Sequence, residues 1–352
     1  METARNLDIG SEASKVNLLI YLDANYAAPA TVMVRSVLEN SMSHLNLFVL
    51  AIDLSDEIKR TMVRSWPADR VTVHWLDVDL DQYAKSFAQV NYLSRAAYTR
   101  LLIDRYLPTQ IERVITLDCD AVMLGDVAEL WNFSHENYCV MAVRDPCVPN
   151  LSHDSSSFLR SGDQDAPYFN SGLMLVNLKL WREKKISERC IKLAEQHPGR
   201  ALYADQSLLN SVFQGEWEPL PLSWNCNFRH LLIHSYPSLR DQVYSHEEVI
   251  GALSEPKFVH FLSRSKPWHD RKKFHPHRKL YDHFLGLTLW ASHERRSWLS
   301  DIFGRMSKNS FRLRCYRQAN QIRKKLRVSA RRVADMKHFC THSGDFTFGD
   351  LL

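Results

Sequence analysis

The residues in this chain most suited to chemistry are two carboxylates at the end of an apolar run. Ile115–Leu117 leads into Asp118, Cys119 and Asp120, and apolar residues resume at Ala121. Because alternate side chains of an extended chain share a face, the two aspartates can point the same way. Carboxylates held so close repel each other unless a cation lies beside them. A metal site therefore competes with two plainer interpretations: a helix cap, or simple exposure at a strand end.

The elements before this pair alternate between strands and helices. Apolar runs predict strands at 16–22, 45–52, 71–78 and 113–117, and helical periodicity predicts helices at 29–40, 55–66 and 94–106. Such alternation indicates a mostly parallel sheet with helices on both faces, whose ligands bind at the carboxyl ends of the strands. Asp23 follows the first strand, and Asp118 and Asp120 follow the fourth. Both loops therefore open on the same edge.

The second half of the chain is less regular. Further strands are predicted at 138–143, 169–178 and 257–262, and helices at 181–196 and 207–213, the latter begun by Asp205 and Gln206. The segment 146–167 is rich in Pro, Ser, Asp and Gly, which predicts a loop near the site. We therefore predict an α/β fold with a second half that departs from strict alternation.

Composition favours a soluble protein of a reducing compartment. The chain has 352 residues, 45% of them hydrophobic and 24% charged, and no run approaches the roughly 18 apolar residues of a membrane span. Its polar first residues lack the apolar core of a signal peptide. The seven cysteines are scattered, with no Cys-x-x-Cys pair, which argues against a disulfide framework or a structural zinc site. We expect the protein to be cytoplasmic.

Positive charge is concentrated near the C-terminus. Residues 291–340 hold 14 lysines and arginines against 3 acidic residues, whereas the rest of the chain holds 31 basic and 37 acidic residues. Trp298, Ile302 and Met306 form one apolar stripe at helical spacing, and a second follows at 315–326. A basic amphipathic helix suits an anionic membrane surface, although packing on the domain is an alternative. Nucleic acid is disfavoured because the acidic body offers no continuous basic surface.

Five stretches, taken together and in order, resemble glycosyltransferase family 8, the retaining transferases that use UDP-glucose or UDP-galactose. They are LDANYA at 22–27, AAYTRLLI at 96–103, TLDCDAVMLGD at 116–126, FNSGLMLVNLKLW at 169–181 followed by Asp205-Gln206, and VHFLSRSKPWH at 259–269. The resemblance covers roughly residues 16–285. It implies a GT-A type nucleotide-sugar-binding sandwich over 16–288, between a polar leader at 1–15 and a basic helical region at 289–352.

The resemblance also implies a metal centre and a charge clamp. Its metal ligands are Asp118, Asp120 and His260, holding Mn²⁺ or Mg²⁺, and two carboxylates with one imidazole suit such an ion. Lys266 matches the lysine of the family's Lys-Pro-Trp motif and would neutralise the donor diphosphate. A histidine in an apolar strand is otherwise a satisfied core residue.

Residues for the donor follow from the same resemblance. Asp23 and Asn25 match hydrogen-bonding partners of uracil and ribose, and Tyr26 matches a residue that stacks on the base. The family has a second acidic or small polar residue where this chain has Ala24. Arg100 matches an arginine that reaches the sugar and the diphosphate. The sugar pocket is matched by Asp145, Asn170, Ser171, Asp205 and Gln206.

The implied reaction is transfer of galactose or glucose from a UDP-sugar to an acceptor hydroxyl with retention. A covalent glycosyl-enzyme would need a nucleophile such as Asp205 or Asp145, because the amide of Gln206 is a poor one. Front-face attack, with the departing diphosphate taking the acceptor's proton, is the preferred hypothesis. The basic C-terminal region favours a lipopolysaccharide core or other glycolipid acceptor at the inner face of the plasma membrane.

Two other functions remain as alternatives. Leu117–Val122 also fits the motif of haloacid-dehalogenase-type phosphatases, in which Asp118 would be the nucleophile, but that motif normally opens its domain. A catalytically inactive, membrane-associated binding protein with this fold is the second. The presence of Asp118, Asp120, His260 and Lys266 together argues against lost activity.

Overall fold

The computed structural model describes most of the chain up to Ala291. The described residues are 15–83, 87, 95–134, 136–155, 164–227, 243–262, 266–269, 275 and 277–291. All but the last residue of the predicted leader and nearly all of the predicted basic region therefore lie outside them, and the domain boundaries drawn from the sequence stay predictions. Within the described residues, no helix is both long enough and apolar enough to cross a membrane.

Four parallel strands form one half of the central sheet. They are β1 (Lys15–Leu22), β2 (His44–Ala51), β3 (Val71–Asp77) and β4 (Arg113–Leu117). β2 pairs with β3 and β1, β1 pairs with β4, and all three pairings are parallel. The side chains of β1, β2 and β4 are almost all buried, as expected of parallel strands covered on both faces. The predicted parallel sheet is confirmed.

Helices connect these strands. α1 (Ala27–Asn40) follows β1, and α2 (Asp56–Val63) begins where the Ser55 hydroxyl accepts the Ile58 amide proton. The third predicted helix, 94–106, is partly wrong. Its first part is a 3₁₀ helix over Arg95–Leu102, and only α3 (Ile103–Tyr106) is α-helical. The 3₁₀ spacing aligns side chains three residues apart, so Ala97 and Arg100 both face the cleft described below.

The remaining strands complete one large and one small sheet. They are β5 (Ala121–Met123), β6 (Val140–Arg144), β7 (Phe169–Asn177), β8 (Glu218–Pro219), β9 (Cys226–Asn227) and β10 (Phe258–His260). The large sheet has the order β3-β2-β1-β4-β7-β6-β8, and β7 runs antiparallel to both of its neighbours. The small sheet, in the order β5-β10-β9, was not predicted. It brings β10 beside the segment that follows β4.

The helices of the second half differ from prediction, because those at 127–131, 246–254 and 278–285 were not predicted and one predicted helix is divided in two. They are α4 (Val127–Trp131), α5 (Leu178–Glu183), α6 (Ile186–Gln196), α7 (Asp205–Phe213), α8 (His246–Ser254) and α9 (Arg278–Leu285). The single helix predicted at 181–196 is wrong, because α5 and α6 are separate. Lys185 adopts a left-handed conformation with φ of 52°, which an α-helix cannot contain.

The core lies on both faces of the large sheet. Leu18 and Ile20 of β1 pack on the α1 side, whereas Leu19 and Tyr21 pack on the side of α7 and the 3₁₀ helix. Alternate side chains of one strand thus enter opposite halves of the core. This two-sided burial is the α/β sandwich that the sequence predicted, and it fixes the carboxyl ends of β1 and β4 at one edge.

Candidate functional site

A cleft of about 200 Å³ opens at the carboxyl ends of β1 and β4. It lies where ligands of parallel sheets bind. Nearly every site residue predicted from the sequence lines it. The lining residues are Tyr21, Leu22, Asp23, Tyr26, Ala96, Ala97, Arg100, Asp118, Cys119, Asp120, Asp145, Cys147, Val148, Asn170, Ser171, Tyr203, Asp205, Gln206, His260, Leu262 and Lys266.

The acidic pair occupies the three-residue turn between β4 and β5. The Cys119 side chain is buried, and its thiol donates to the Tyr21 carbonyl at 3.4 Å. With Cys119 turned inwards, Asp118 and Asp120 both face the cleft, as the i, i+2 spacing predicted. The backbone fixes this turn, because the Asp118 amide donates to the Gly172 carbonyl at 2.8 Å and the Asp120 carbonyl accepts from Phe261 at 2.8 Å. Neither aspartate caps a helix.

His260 completes a group of three potential ligands. It lies at the end of β10, opposite Ala121 of β5. Its Nε2 atom is 3.4 Å from Asp118 Oδ2 and 3.2 Å from Asp120 Oδ1. One ligand atom from each of the three residues lies within 4.8 Å of the others. Two carboxylate oxygens and an imidazole nitrogen are a donor set that fits Mn²⁺ or Mg²⁺.

Lys266 brings a buried positive charge to the same place. Its side chain is 7% exposed, and its Nζ atom lies 2.6 Å from Asp120 Oδ2. The ammonium group also donates to the Phe261 carbonyl at 2.7 Å. A buried lysine held by a carboxylate and a carbonyl has a fixed position, so its charge points into the cleft rather than into solvent.

Arg100 links the acidic pair to α7. Its guanidinium is 1% exposed, with Nη1 2.9 Å from Asp205 Oδ2 and 2.5 Å from the Ser171 carbonyl. Nη2 pairs with Asp118 Oδ1, which also accepts from the Tyr21 hydroxyl. The guanidinium carbon stands 4.5 Å from the centre of the Tyr21 ring. Arg100 and Tyr21 thus hold one oxygen of Asp118 and leave the other facing His260.

The pKa values of the two aspartates are shifted in opposite directions. Burial, and then the neighbouring carboxylates of Asp120 and Asp205, raise the pKa of Asp118 well above its ordinary value. Burial also opposes ionisation of Asp120, but the Lys266 ammonium, together with the His260 ring in its protonated form, outweighs it and holds the pKa of Asp120 well below its ordinary value. The site therefore has more carboxylate than positive charge to balance it.

The opposite wall of the cleft is a network of amides and carboxylates. Asp145 Oδ2 accepts from Asn170 Nδ2 at 3.0 Å and from Gln206 Nε2 at 3.2 Å. The Ser171 amide donates to Gln206 Oε1 at 3.0 Å, and the Ser171 hydroxyl donates to Asp205 Oδ2 at 3.1 Å. All five residues are buried and line the cleft. The structure thus brings together every residue that the sequence assigned to the sugar pocket.

The predicted nucleotide loop forms the rim. Asp23 caps a short 3₁₀ helix, because its carboxylate accepts from the Asn25 amide at 2.9 Å. Tyr26 meets Trp268 edge to face, with ring centres 6.0 Å apart. Asp23 and Tyr26 line the cleft, whereas the exposed Asn25 is not among its lining residues.

The sequence reasoning missed two residues that hold others in place. Tyr21 lies within an apolar run and reads as core, although its position two residues before Asp23 is a signal that its polar tip reaches the strand end. Asn225 is buried and bonds His260, with Oδ1 3.1 Å from Nδ1. It stands between Trp224 and Cys226, where a lone amide among apolar neighbours marks a buried hydrogen bond.

Gly172 lets the His260 ring approach β7, and its replacement should displace that ring. A Cβ atom at this position would lie 2.3 Å from His260 Cε1 and 3.0 Å from Asn170 Oδ1. We expect Gly172→Ala to lower the free energy of unfolding by about 1–3 kcal/mol and to weaken Mn²⁺ binding at least tenfold. Chemical denaturation and Mn²⁺ titration measure the two effects.

Gly251→Ala is the matched control. A Cβ there meets nothing within 4 Å, and the position lies inside α8. This variant should gain about 0.5–1 kcal/mol of stability and bind Mn²⁺ unchanged. Unaltered Mn²⁺ binding in Gly172→Ala would contradict the role given to the glycine.

Comparison with known proteins agrees with this geometry. The model of the family described as glycosyl transferase family 8 matches residues 17–272, which is more than half of the chain. The chain belongs to glycosyl transferase family 8. The resemblance drawn from five motifs is thereby confirmed, and this membership does not favour the phosphatase alternative.

Individual relatives of this family 8 member cover most of its length. General stress protein A of Bacillus subtilis is 29% identical over 273 residues, which are 76% of this chain and 92% of the relative. A lipopolysaccharide 1,3-galactosyltransferase of Salmonella typhimurium is 26% identical over 267 residues, 74% of each chain. The galactosyltransferase LgtC, solved with donor and acceptor sugar analogues, superposes with a TM-score of 0.67 at 22% identity, covering 80% of this chain and 99% of LgtC. The predicted GT-A type fold is confirmed.

Proposed function

We propose that this chain is a retaining hexosyltransferase that moves galactose or glucose from a UDP-sugar to an acceptor hydroxyl. The observation that carries the proposal is the group formed by Asp118, Asp120 and His260, whose ligand atoms lie within 4.8 Å of one another. This group stands in a cleft at the edge of the sheet where nucleotides bind, in a chain of a glycosyltransferase family.

The three residues would hold Mn²⁺ or Mg²⁺. Burial and, after it, the neighbouring carboxylates of Asp120 and Asp205 raise the pKa of Asp118, and a divalent cation beside the pair would offset that repulsion. Such an ion, when bound, serves as a Lewis acid toward the donor diphosphate. Tyr21 and Arg100 contribute by fixing Asp118 Oδ1, so that Oδ2 stays directed toward His260.

Lys266 would act on the leaving group. Charge would develop on the diphosphate as the bond to the sugar breaks, and the fixed ammonium of a lysine only 7% exposed would stabilise that charge. The carbonyl of Phe261 holds the lysine independently of Asp120. Asp23, Asn25 and Tyr26 would hold the uracil and ribose, with the Tyr26 ring against the base.

The hydrogen bonding of the carboxylates favours front-face attack. Asp145 Oδ1 accepts from the amides of Cys147 at 2.8 Å and Val148 at 3.1 Å, while Oδ2 accepts from Asn170 and Gln206. A carboxylate has about four lone-pair sites, so Asp145 has none left for a nucleophilic role. It is a positioning group in this proposal.

The other two candidates are likewise engaged. Asp205 Oδ2 is shared by Arg100 and Ser171, and Gln206 Oε1 accepts from the Ser171 amide. In the proposed step, the acceptor oxygen bonds to the anomeric carbon as the bond from that carbon to the diphosphate oxygen breaks. The acceptor's proton passes to the departing diphosphate. Both events occur on one face, so the configuration is retained.

A donor panel tests the reaction. Purified protein should release UDP from UDP-galactose or UDP-glucose with Mn²⁺, and chelation should abolish the turnover. Proton NMR of the transferred sugar should show the anomeric configuration of the donor. Turnover that survives chelation, or a product of inverted configuration, would sink the proposal, and the absence of turnover with every donor would favour an inactive binding protein.

The acceptor is proposed to be a lipopolysaccharide core or another glycolipid at the cytoplasmic face of the membrane. Supporting this, one relative is a lipopolysaccharide galactosyltransferase. The basic residues at 291–340 add an attraction to anionic lipid, worth roughly 1 kcal/mol for each Lys or Arg near the surface. All of these basic residues lie outside the described part of the chain, so the membrane contact is proposed from the sequence alone.

Neutralising four of these residues should release the protein from anionic vesicles. The change is Arg323, Lys324, Lys325 and Arg327 to Gln, and it removes about 4 kcal/mol of attraction, or roughly three orders of magnitude in binding. Co-sedimentation with phosphatidylserine vesicles measures it, with neutral vesicles as the control. UDP release from the donor should be unchanged. Equal sedimentation of variant and wild type would refute the membrane contact.

A further inference from the structure

Asn225 lies between the proposed metal centre and the sugar side of the cleft. It ends a 3₁₀ helix over Leu222–Asn225, and its side chain is 0% exposed. Asn225 Oδ1 is 3.1 Å from His260 Nδ1, and Asn225 Nδ2 is 2.8 Å from Asn170 Oδ1. Asn170 in turn donates to Asp145. An unbroken chain of hydrogen bonds therefore runs from His260 to Asp145.

The end of this series of hydrogen bonds at Asp145 fixes the orientation of the Asn170 amide. An ionised carboxylate only accepts, so the Asn170 atom 3.0 Å from Asp145 Oδ2 must be the NH₂ group. A backbone N–H only donates, so the Asn170 atom 3.0 Å from the Gly172 amide must be the oxygen. The two requirements agree, and neither depends on the other.

The orientation of the Asn170 amide in turn determines that of Asn225 and the position of the proton on His260. Since Asn170 presents its oxygen to Asn225, Asn225 must use its NH₂ group there and present its own oxygen to His260. An amide oxygen only accepts, so Nδ1 of His260 must carry a proton. In the neutral ring, Nε2 is then the unprotonated nitrogen, with its lone pair toward Asp118 and Asp120.

We propose that Asn225 is a positioning residue that selects the tautomer of His260 and ties it to the Asp145 carboxylate. A nitrogen can bind a metal only through a free lone pair, so this tautomer is the one that the proposed metal site needs. That the tautomer serves to bind a metal rests on the proposed function, whereas the tautomer itself follows from the hydrogen bonds. The hydrogen bonds from His260 through Asn225 and Asn170 to Asp145 thereby fix the position of the metal centre relative to the sugar pocket.

A second series of hydrogen bonds of the same kind, far from the cleft, serves as an internal control. Asn17 Nδ2 donates to the Arg113 carbonyl at 3.2 Å, and Asn46 Nδ2 donates to Asn17 Oδ1 at 2.9 Å. Asn46 Oδ1 therefore faces His74, at 2.6 Å from Nε2. Because the carbonyl only accepts, the same reasoning predicts a proton on Nε2 of His74, the opposite tautomer from His260.

Long-range ¹H–¹⁵N correlation spectra of the full, metal-free chain labelled in histidine distinguish the two tautomers. Spectra are taken at a pH where the ring shifts no longer change, and His260→Gln and His74→Gln assign the signals. We expect Nδ1–H for His260 and Nε2–H for His74 in the wild type. Nε2–H on neutral His260 would overturn the proposal without any further variant.

Two substitutions at Asn225 then test the cause. Asn225→Leu keeps the branched shape of the side chain and removes both hydrogen bonds, so the single Nδ1–H tautomer of His260 should be lost while His74 is unaffected. Asn225→Asp retains an acceptor toward His260 and should preserve Nδ1–H. Asn46→Leu should alter His74 and leave His260 as in the wild type. An unchanged His260 tautomer in folded Asn225→Leu would overturn the proposal.

Mn²⁺ affinity in the presence of UDP, followed by electron paramagnetic resonance, gives the second readout. Loss of a residue that orients a metal ligand typically weakens metal binding by about 10–100-fold, and Asn225→Leu should fall in this range. Asn46→Leu should bind like the wild type. Equal Mn²⁺ binding by both variants would overturn the positioning role, whereas a wild type that binds no Mn²⁺ would overturn the proposed function and leave the metal-free tautomer result standing.

Discussion

Asp120→Asn is expected to lower sugar transfer by about 10³-fold or more, the equivalent of about 4 kcal/mol of transition-state stabilisation. The substitution keeps the size of the side chain and leaves an oxygen able to face Lys266. It removes the negative charge from the carboxylate that both His260 and Lys266 contact, at 3.2 and 2.6 Å. An amide is a far weaker ligand for Mn²⁺ than a carboxylate, so metal affinity should fall with activity.

Steady-state transfer assays at several Mn²⁺ concentrations measure this effect. Added Mn²⁺ should recover part of the lost activity if weak metal binding is the cause. Asp126→Asn is the matched control, since Asp126 caps α4 through the Ala128 amide at 2.9 Å and an asparagine caps equally well. A variant at Asp120 that keeps activity within tenfold of the wild type, at every Mn²⁺ concentration, would contradict the metal centre.

Much of the fold follows from sequence because local signals and burial agree there. β1 and β2 read as continuous apolar runs, and strands buried on both faces have that composition. The pair Asp118 and Asp120 could be placed at the sheet edge because carboxyl ends of parallel strands share an edge. That step needed no knowledge of side-chain contacts.

The features that were missed, the strand β5 and its pairing with the predicted strand β10, depend on contacts between distant segments. β5 and β10 are three residues each, and they pair only because residues 121–123 and 258–260 meet in space. Strands this short carry almost no periodic signal. The segment 94–106 has helical apolar spacing, but that spacing does not distinguish the 3₁₀ turns over Arg95–Leu102 from an α-helix.

Within the site, the charged residues were easier to predict from the sequence than the uncharged residues that hold them in position. Asp205 and Arg100 were both assigned to the donor, yet their ion pair at 2.9 Å shows that they also hold each other. Tyr21 and Asn225 carry no charge and sit among apolar residues, so their types alone suggest packing. Their roles follow from which atoms they bond, and that depends on segments up to 97 residues away.

Lys266→Met should weaken UDP binding and transfer while strengthening the binding of Mn²⁺ alone. Methionine keeps most of the length of the side chain and removes the charge. Loss of one fixed donor to a developing anion typically costs about 10²–10³-fold in kcat, and we expect a loss of that size here. A free divalent ion, by contrast, must share the Asp120 carboxylate with the Lys266 ammonium 2.6 Å away, and like charges repel.

The opposite changes expected in UDP affinity and Mn²⁺ affinity distinguish a lysine that binds the leaving group from one that only supports the structure. Isothermal titration with UDP and with Mn²⁺, each alone, measures the two affinities on one protein. Lys257→Met is the matched control, because Lys257 pairs with the exposed Glu129 and lies outside the cleft lining. Weaker binding of both ligands would mean that Lys266 only maintains the shape of the cleft. Since Lys266 is also held by the Phe261 carbonyl, its place does not require Asp120, and an ion taking Asp120 would leave the ammonium free to meet the diphosphate.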